Sequence, residues 1–152
     1  MLPRQEYIGL LIGTARRRLK QAVEAQVSEH GLSTRQFWTL VSAHELQGAS
    51  LGELAERQNT DLPTISRVVA QLAALGLVVL ERDPGDRRRA ILGVTPRGRV
   101  LAKRMQKIAD EVRGVTVKGL SAPEQEHLRG LLKRVIGNLD SLAVEPRRAG
   151  KG

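Results

Sequence analysis

The sequence predicts a mainly α-helical protein with one β-hairpin set between its fourth and fifth helices. Three observations carry this. Apolar residues recur every three or four positions through most of the chain, the period of an amphipathic helix. The stretch Leu77 to Val94 instead holds two short β-branched runs around Asp83-Pro84-Gly85-Asp86, a tetrapeptide with strong turn chemistry. Aromatic residues make up only 2 %, so the core rests on Leu, Val, Ile and Ala, which favours packed helices over a β-sandwich. A chain of 152 residues can bury the core of one domain, expected over residues 1–144.

The first helix is expected from about Arg4 to Glu29, with Ile8, Leu11, Ile12, Ala15, Leu19, Ala22, Val23 and Val27 on one face. Arg16, Arg17, Arg18 and Lys20 read as a solvated face. His30-Gly31 ends the helix. Ser33 and Gln36 have the spacing of a capping box, in which each side chain satisfies the other's backbone N–H. They open a second helix to about Leu46 that buries Phe37, Leu40 and Val41. Gln47-Gly48-Ala49 is a turn. Ser50 and Glu53 form a second box and start a short third helix with Leu51, Leu54 and Ala55 inward.

After a break at Gln58-Asn59-Thr60, a fourth helix runs from about Asp61 to Leu75. Ile65, Val68, Val69, Leu72 and Leu75 make its apolar face. Arg67 and Pro63 point most directly away, flanked by Thr64, Ser66 and Gln71. Thr60 or Asp61 can cap the first turn, where Pro63 is tolerated, and Gly76 closes the helix. Leu77 to Leu80 and Ala90 to Leu92 with Val94 are the strands. Gly93 either weakens the second strand or marks a bulge. Thr95 as N-cap and Pro96 at the first helical position open a fifth helix to about Lys118. Its Leu101, Met105, Ile108, Val112 and Val115 alternate steps of four and three, a heptad seam. Ser121 and Glu124 form a third box, and the sixth helix carries Leu128, Leu132, Val135, Leu139 and Leu142. The basic tail, residues 145–152, is expected to be disordered.

Lys and Arg total 25 against 16 Asp and Glu, a net charge of +9. The sequence pI is near 11.0. That balance points to a polyanionic partner, nucleic acid before a membrane surface. The absence of cysteine excludes disulfides, thiolate catalysis and thiol-based redox sensing by this chain. No apolar run approaches the ~20 residues of a membrane span, and no signal-peptide pattern is present, so a cytoplasmic protein is expected. His30, His44 and His127 lie in different elements. His44-Glu45 lacks the second histidine four residues on that a zinc-protease helix needs. Neither catalysis nor a metal or cofactor is expected.

Two short helices joined by a tight polar turn, the second exposing small polar and basic residues, are the layout of a helix-turn-helix. The hairpin makes it a winged one. The outer face of the fourth helix suits a major groove. A hairpin tip with Arg82 on one side and Arg87, Arg88 and Arg89 on the other suits phosphates or a narrow minor groove. Residues expected to meet double-stranded DNA are Thr60, Asp61, Pro63, Thr64, Ser66, Arg67, Gln71, Arg82, Arg87, Arg88 and Arg89. Single-stranded RNA is disfavoured, because no aromatic residue lies in the basic surface to stack on bases. Helices one, five and six carry more apolar stripe than so small a lobe can cover, which calls for a second copy, with an intramolecular three-helix bundle as the alternative.

The run from Asp86-Arg87-Arg88 through the strand to Thr95-Pro96-Arg97-Gly98, with Arg82 before the turn, resembles the wing signature of the MarR (multiple-antibiotic-resistance regulator) family of bacterial and archaeal transcription factors. Thr64 to Val69, followed by Leu72 and Gly76-Leu77-Val78, is similar to that family's recognition helix. The resemblance covers about residues 5–140. It implies a homodimer intertwined through terminal helices, about 4–29 and 96–142, beside a winged lobe at about 33–97. Recognition helices would enter successive major grooves of a palindromic operator. Thr64, Ser66 and Arg67 would face bases or nearby phosphates, and Arg88 the minor groove. Asp86 would hold the wing tip by accepting hydrogen bonds from Arg88 or wing backbone. Three consecutive arginines exceed the family's pattern, so which one inserts stays open. Many relatives are released from DNA by a small aromatic or phenolic ligand bound between the dimer helices and the lobe. Tyr7, Phe37 and Trp38 are candidates for such a pocket, with ordinary core packing as the alternative. Repression is the expected sign of regulation.

Overall fold

The computed structural model describes residues 6–144. The expected helix start at Arg4 and the basic tail at 145–152 lie outside them. The chain divides after Thr116 into two compact units.

The first unit holds α1 (Ile8–Val27), a 3-10 turn (Ser28–His30), α2 (Thr34–Leu46), α3 (Leu51–Arg57), α4 (Leu62–Ala74), β1 (Val78–Arg82), β2 (Ala90–Val94) and α5 (Pro96–Thr116). The second holds α6 (Ala122–Val144). The fold is mostly helical with one antiparallel hairpin, as the periodicities require. All three capping boxes form. Ser33 N–H donates to Gln36 Oε1 at 2.9 Å and Gln36 N–H to Ser33 Oγ at 3.2 Å, and Ser50–Glu53 and Ser121–Glu124 repeat the pattern.

The core of the first unit is aliphatic around Phe37: Leu40, Leu54, Ile65, Val69, Leu72, Leu92 and Met105 are fully buried. From α1 only Val23 and Val27 are buried, while Ile8, Leu11 and Leu19 on the same stripe are exposed. The inward face of α5 follows the expected seam except at its far end. Met105 and Val112 are buried and Leu101 and Ile108 partly so, but Val115 is 67 % exposed. The remaining buried positions are small, namely Gly98, Ala102 and Ala109. In the second unit, Leu128, Leu131, Leu132, Ile136, Leu139 and Leu142 of α6 are all exposed.

Two Schellman turns frame α4. At the first, Asn59 N–H donates to Glu56 O at 3.0 Å and Thr60 N–H to Ala55 O at 3.0 Å, with Asn59 at φ 48°. At the second, Gly76 N–H donates to Ala73 O at 2.9 Å and Leu77 N–H to Leu72 O at 3.0 Å, with Gly76 at φ 70°. Leu77 is therefore part of the helix stop, and β1 begins one residue later than its apolar run suggests. Leu75, expected on the buried face of α4, is the C-cap residue and is exposed. Asp61 and not Thr60 is the N-cap of α4. The hairpin register is unbroken from Val78↔Val94 to Arg82↔Ala90. Gly93 makes no bulge: it pairs with Val79, and a Cβ there would come within 3.0 Å of the Glu81 side chain.

Thr95 joins three elements. Its N–H donates to Leu77 O at 3.1 Å and its hydroxyl donates to Gly76 O at 2.7 Å. That hydroxyl accepts from Gly98 N–H at 3.0 Å, capping α5. The end of α4, the start of β1 and the first turn of α5 are clasped within a few ångströms. Only glycine fits at 98, because a Cβ would lie 1.8 Å from Leu77 O.

Gly98→Ala is expected to lower stability by about 3 kcal/mol or more, since backbone must move to admit the methyl. Thermal melting would show a fall on the order of 10 °C, and an unchanged melting temperature would contradict the close approach.

Candidate nucleic-acid interface

The exposed face of α4 is small and polar at its start. Asp61 closes the first turn: its carboxylate accepts from Thr64 N–H at 2.7 Å and from the Thr64 hydroxyl at 2.9 Å. Those two bonds, foremost the backbone one, hold its carboxyl below the usual carboxylate range. Pro63, Ser66 and Arg67 are exposed and Thr64 is half-buried. The Gln71 side chain accepts from Gln36 Nε2 at 3.2 Å, which ties α4 to the start of α2. Thr60 is half-buried in the turn before the helix. Among the described residues, the Arg67 guanidinium makes no hydrogen bond and no ion pair, so it stands ready for an external acceptor.

The wing tip is closed by its own carboxylates. Asp83 Oδ1 accepts from Gly85 N–H at 2.8 Å, and Asp86 Oδ1 accepts from Arg88 N–H at 3.0 Å. Asp83 N–H donates to Arg89 O and Arg89 N–H to Asp86 O, each at 2.9 Å. The arginines beside the turn are not equivalent. Arg82 donates to Arg87 O at 2.9 Å. Arg89 is engaged by Glu53 at 2.5 Å and Asp83 at 3.4 Å. The guanidiniums of Arg87 and Arg88 make no hydrogen bond among the described residues and are exposed. One exposed helix face and one cationic finger thus leave the same lobe, joined at the Thr95 clasp.

The HTH-type transcriptional repressor NicR of Pseudomonas putida is 31 % identical to this chain over 131 residues, spanning 86 % of this chain and 83 % of that protein. The model of the MarR family matches residues 30–89. The chain belongs to the MarR family. It is a DNA-binding transcriptional regulator with a winged helix-turn-helix, not an enzyme. A structure of Bordetella bronchiseptica BpsR, solved to explain regulation of its DNA binding by 6-hydroxynicotinic acid, superposes with a TM-score of 0.72 at 26 % identity, covering 89 % of this chain and 96 % of that one. The MepR–DNA complex of S. aureus shares the fold, with a TM-score of 0.78 at 23 % identity over 90 % of this chain and 99 % of that one. No helix among the described residues is long and apolar enough to cross a membrane.

Within the single chain, two of the three expected pocket residues are in contact. Phe37 is fully buried and meets Trp38 edge to face, with ring centroids 4.7 Å apart. Tyr7 is 45 % exposed at the N-cap of α1 and pairs with neither ring. Trp38 instead borders an open cleft of about 460 Å³ with Ser42, Arg57, Gln58 and Arg113. Arg113 lies over the indole, 5.6 Å from its centroid.

Behind that cleft is an ion cluster that no local spacing announces. Glu45 of α2 accepts from Arg57 of α3, from Arg113 of α5 at 2.7 Å and from Gln106 of α5 at 2.9 Å. Burial alone would push its carboxyl up. The hydrogen bonds from Arg113 and Gln106, with the charges of Arg113 and Arg57, outweigh that and hold it below the usual range. Among the described residues, no three His, Cys, Asp or Glu side chains could share a metal ion.

A carboxyl depressed in the folded state contributes stability above its unfolded value, near 4.3. That contribution is lost as the pH falls through the lower folded value. Glu45→Gln is therefore expected to cost about 1–2 kcal/mol at pH 7, a charged hydrogen-bond cluster discounted for solvent screening. The discount is needed because the arginine partners are 41 % and 44 % exposed. Urea titrations at pH 7 and at about pH 3.5 would show the gap to wild type closing in acid; an equal gap at both would contradict the cause given.

Proposed function

We propose that the protein is a homodimeric repressor that reads a palindromic operator in double-stranded DNA and is released by a small aromatic or phenolic ligand. The observation that carries the DNA reading is the pairing, on one lobe, of a recognition helix with an unengaged Arg67 and a wing tip with unengaged Arg87 and Arg88. Arg67 is suited to a bidentate contact with guanine, worth roughly 1–3 kcal/mol of discrimination. Thr64 and Ser66 lie on the same approach. Thr60, Asp61, Pro63 and Gln71 border it, and Arg82 sits at the root of the finger. Arg88 supplies charge for the minor groove, and Asp86 scaffolds the turn that presents it.

Dimerisation is supported by the exposed leucines of α6 and the exposed Ile8, Leu10, Leu11 and Leu19 of α1. Lone molecules rarely leave so many large apolar side chains on one helix in water. A two-fold axis in the protein implies one in the operator. Repression is supported by NicR, a repressor by name. Release by a ligand is supported by BpsR, whose DNA binding 6-hydroxynicotinic acid regulates. The cleft beside Trp38, with its indole wall and two guanidiniums, suits an aromatic acid. A regulator that acts on an operator works in the cytoplasm, where the DNA is.

Gel shifts on the intergenic duplex upstream of the protein's own gene, against a random duplex, test the reading. The upstream duplex is expected to bind more tightly by a factor on the order of 10³, and equal affinity for both would contradict a sequence-specific regulator. Arg67→Ala should cost about 1–3 kcal/mol on the operator and relax its preference at one or two positions per half-site. Arg88→Ala should weaken both duplexes alike and reduce the slope of log affinity on log salt by about one per half-site. Selective loss at the operator alone would remove Arg88 from the backbone-contact role.

A further inference from the structure

We propose that Arg89 does not contact DNA but is a positioning residue that braces the wing against α3, leaving Arg87 and Arg88 as the contacts. This rests on the reading that the wing meets DNA, and concerns how the finger is aimed.

The three arginines are identical in sequence and differ in space. Of the three, Arg89, just before β2, reaches back to Glu53 at 2.5 Å and Asp83 at 3.4 Å. A guanidinium between two carboxylates presents little net charge to a phosphate. Glu53 is a prepared partner. As the third residue of the α3 capping box, its carboxylate accepts from Ser50 N–H at 2.7 Å and from the Ser50 hydroxyl at 3.0 Å. Its position is thus set by the helix before Arg89 arrives, and less freedom is lost on pairing than between two mobile surface side chains.

A second bond runs parallel to the pair. Leu92 N–H donates to Ala49 O at 2.8 Å, fastening β2 to the residue before the α3 N-cap. The backbone bond alone allows the hairpin to swing about that point. The Arg89–Glu53 pair, three residues nearer the tip, opposes the swing. The pair therefore sets the angle between the finger and the helix-turn-helix, and with it the offset between minor-groove and major-groove contacts.

Glu53→Gln separates bracing from contact by the sign of its effect. Glutamine keeps the cap, since Gln36 fills the same position in the α2 box. If Arg89 touched phosphate, removing the Glu53 charge would free it and tighten DNA binding. If Arg89 braces, the same change loosens the finger and weakens binding to the operator. Fluorescence-anisotropy titrations of wild type, Glu53→Gln, Arg89→Ala and the double variant, over a salt series, distinguish the two. Bracing predicts a loss of roughly threefold to tenfold in each single variant, no further loss in the double, and a salt slope unchanged by Arg89→Ala. Tighter binding by Glu53→Gln, a slope reduced by about one per half-site in Arg89→Ala, or no change in either would overturn the proposal. Wild-type protein that ignores every duplex would instead remove the DNA reading beneath it. Melting temperatures within a few degrees of wild type, as expected for an exposed pair, show that a loss of affinity is not a loss of fold.

Discussion

The Thr95 side chain is the point on which the DNA-reading lobe depends. One hydroxyl donates to Gly76 O and accepts from Gly98 N–H, while the Thr95 amide reaches Leu77 O. Three elements end or begin there: α4, the first wing strand and the long helix α5. Gly98 is the steric condition of this clasp, since any side chain would collide with Leu77 O. The pairing of threonine and glycine three residues apart at the start of α5 thus has a mechanical reason. It fixes the direction in which the wing leaves relative to α4.

Electrostatics then sorts the cations of this very basic chain into two kinds. Arg57, Arg89 and Arg113 are held by carboxylates and join elements to one another. Arg67, Arg87 and Arg88 are engaged by no carboxylate among the described residues and face outward. Net charge alone does not make this division. It follows from where Glu45 and Glu53 stand, one at the crossing of α2, α3 and α5 and the other in the first turn of α3. The Glu45 cluster also spans the wall of the cleft beside Trp38.

Local signals were readable without coordinates, and non-local ones were not. Each capping box pairs residues three apart, so Ser33, Ser50 and Ser121 could be assigned by spacing alone. The turn at Asp83 to Asp86 and the stop at Gly76 are local in the same way. The seam of α5 is legible through its large apolar side chains, four of which are at least partly buried, whereas Gly98, Ala102 and Ala109 are buried and carry almost no apolar signal. Among the site residues, the run of arginines was visible but its division of labour was not, since the partner of Arg89 lies 36 positions away. Separations of 12, 61 and 68 positions likewise hide the Glu45 cluster, whose donors come from two other helices. Tyr7, Phe37 and Trp38 are grouped by position along the chain, and within one chain a ring contact joins the last two.

If the clasp unites helix, wing and α5, its amides must open only when the core does. Native-state hydrogen exchange, followed residue by residue in the free protein, measures this directly. The amides of Thr95 and Gly98 are expected to exchange with the same opening free energy as those of Leu40 and Leu72 in the core. Exchange at Thr95 and Gly98 as fast as at Gly85 in the wing tip would mean that the lobe opens at this joint, and that no rigid unit carries the two proposed DNA contacts.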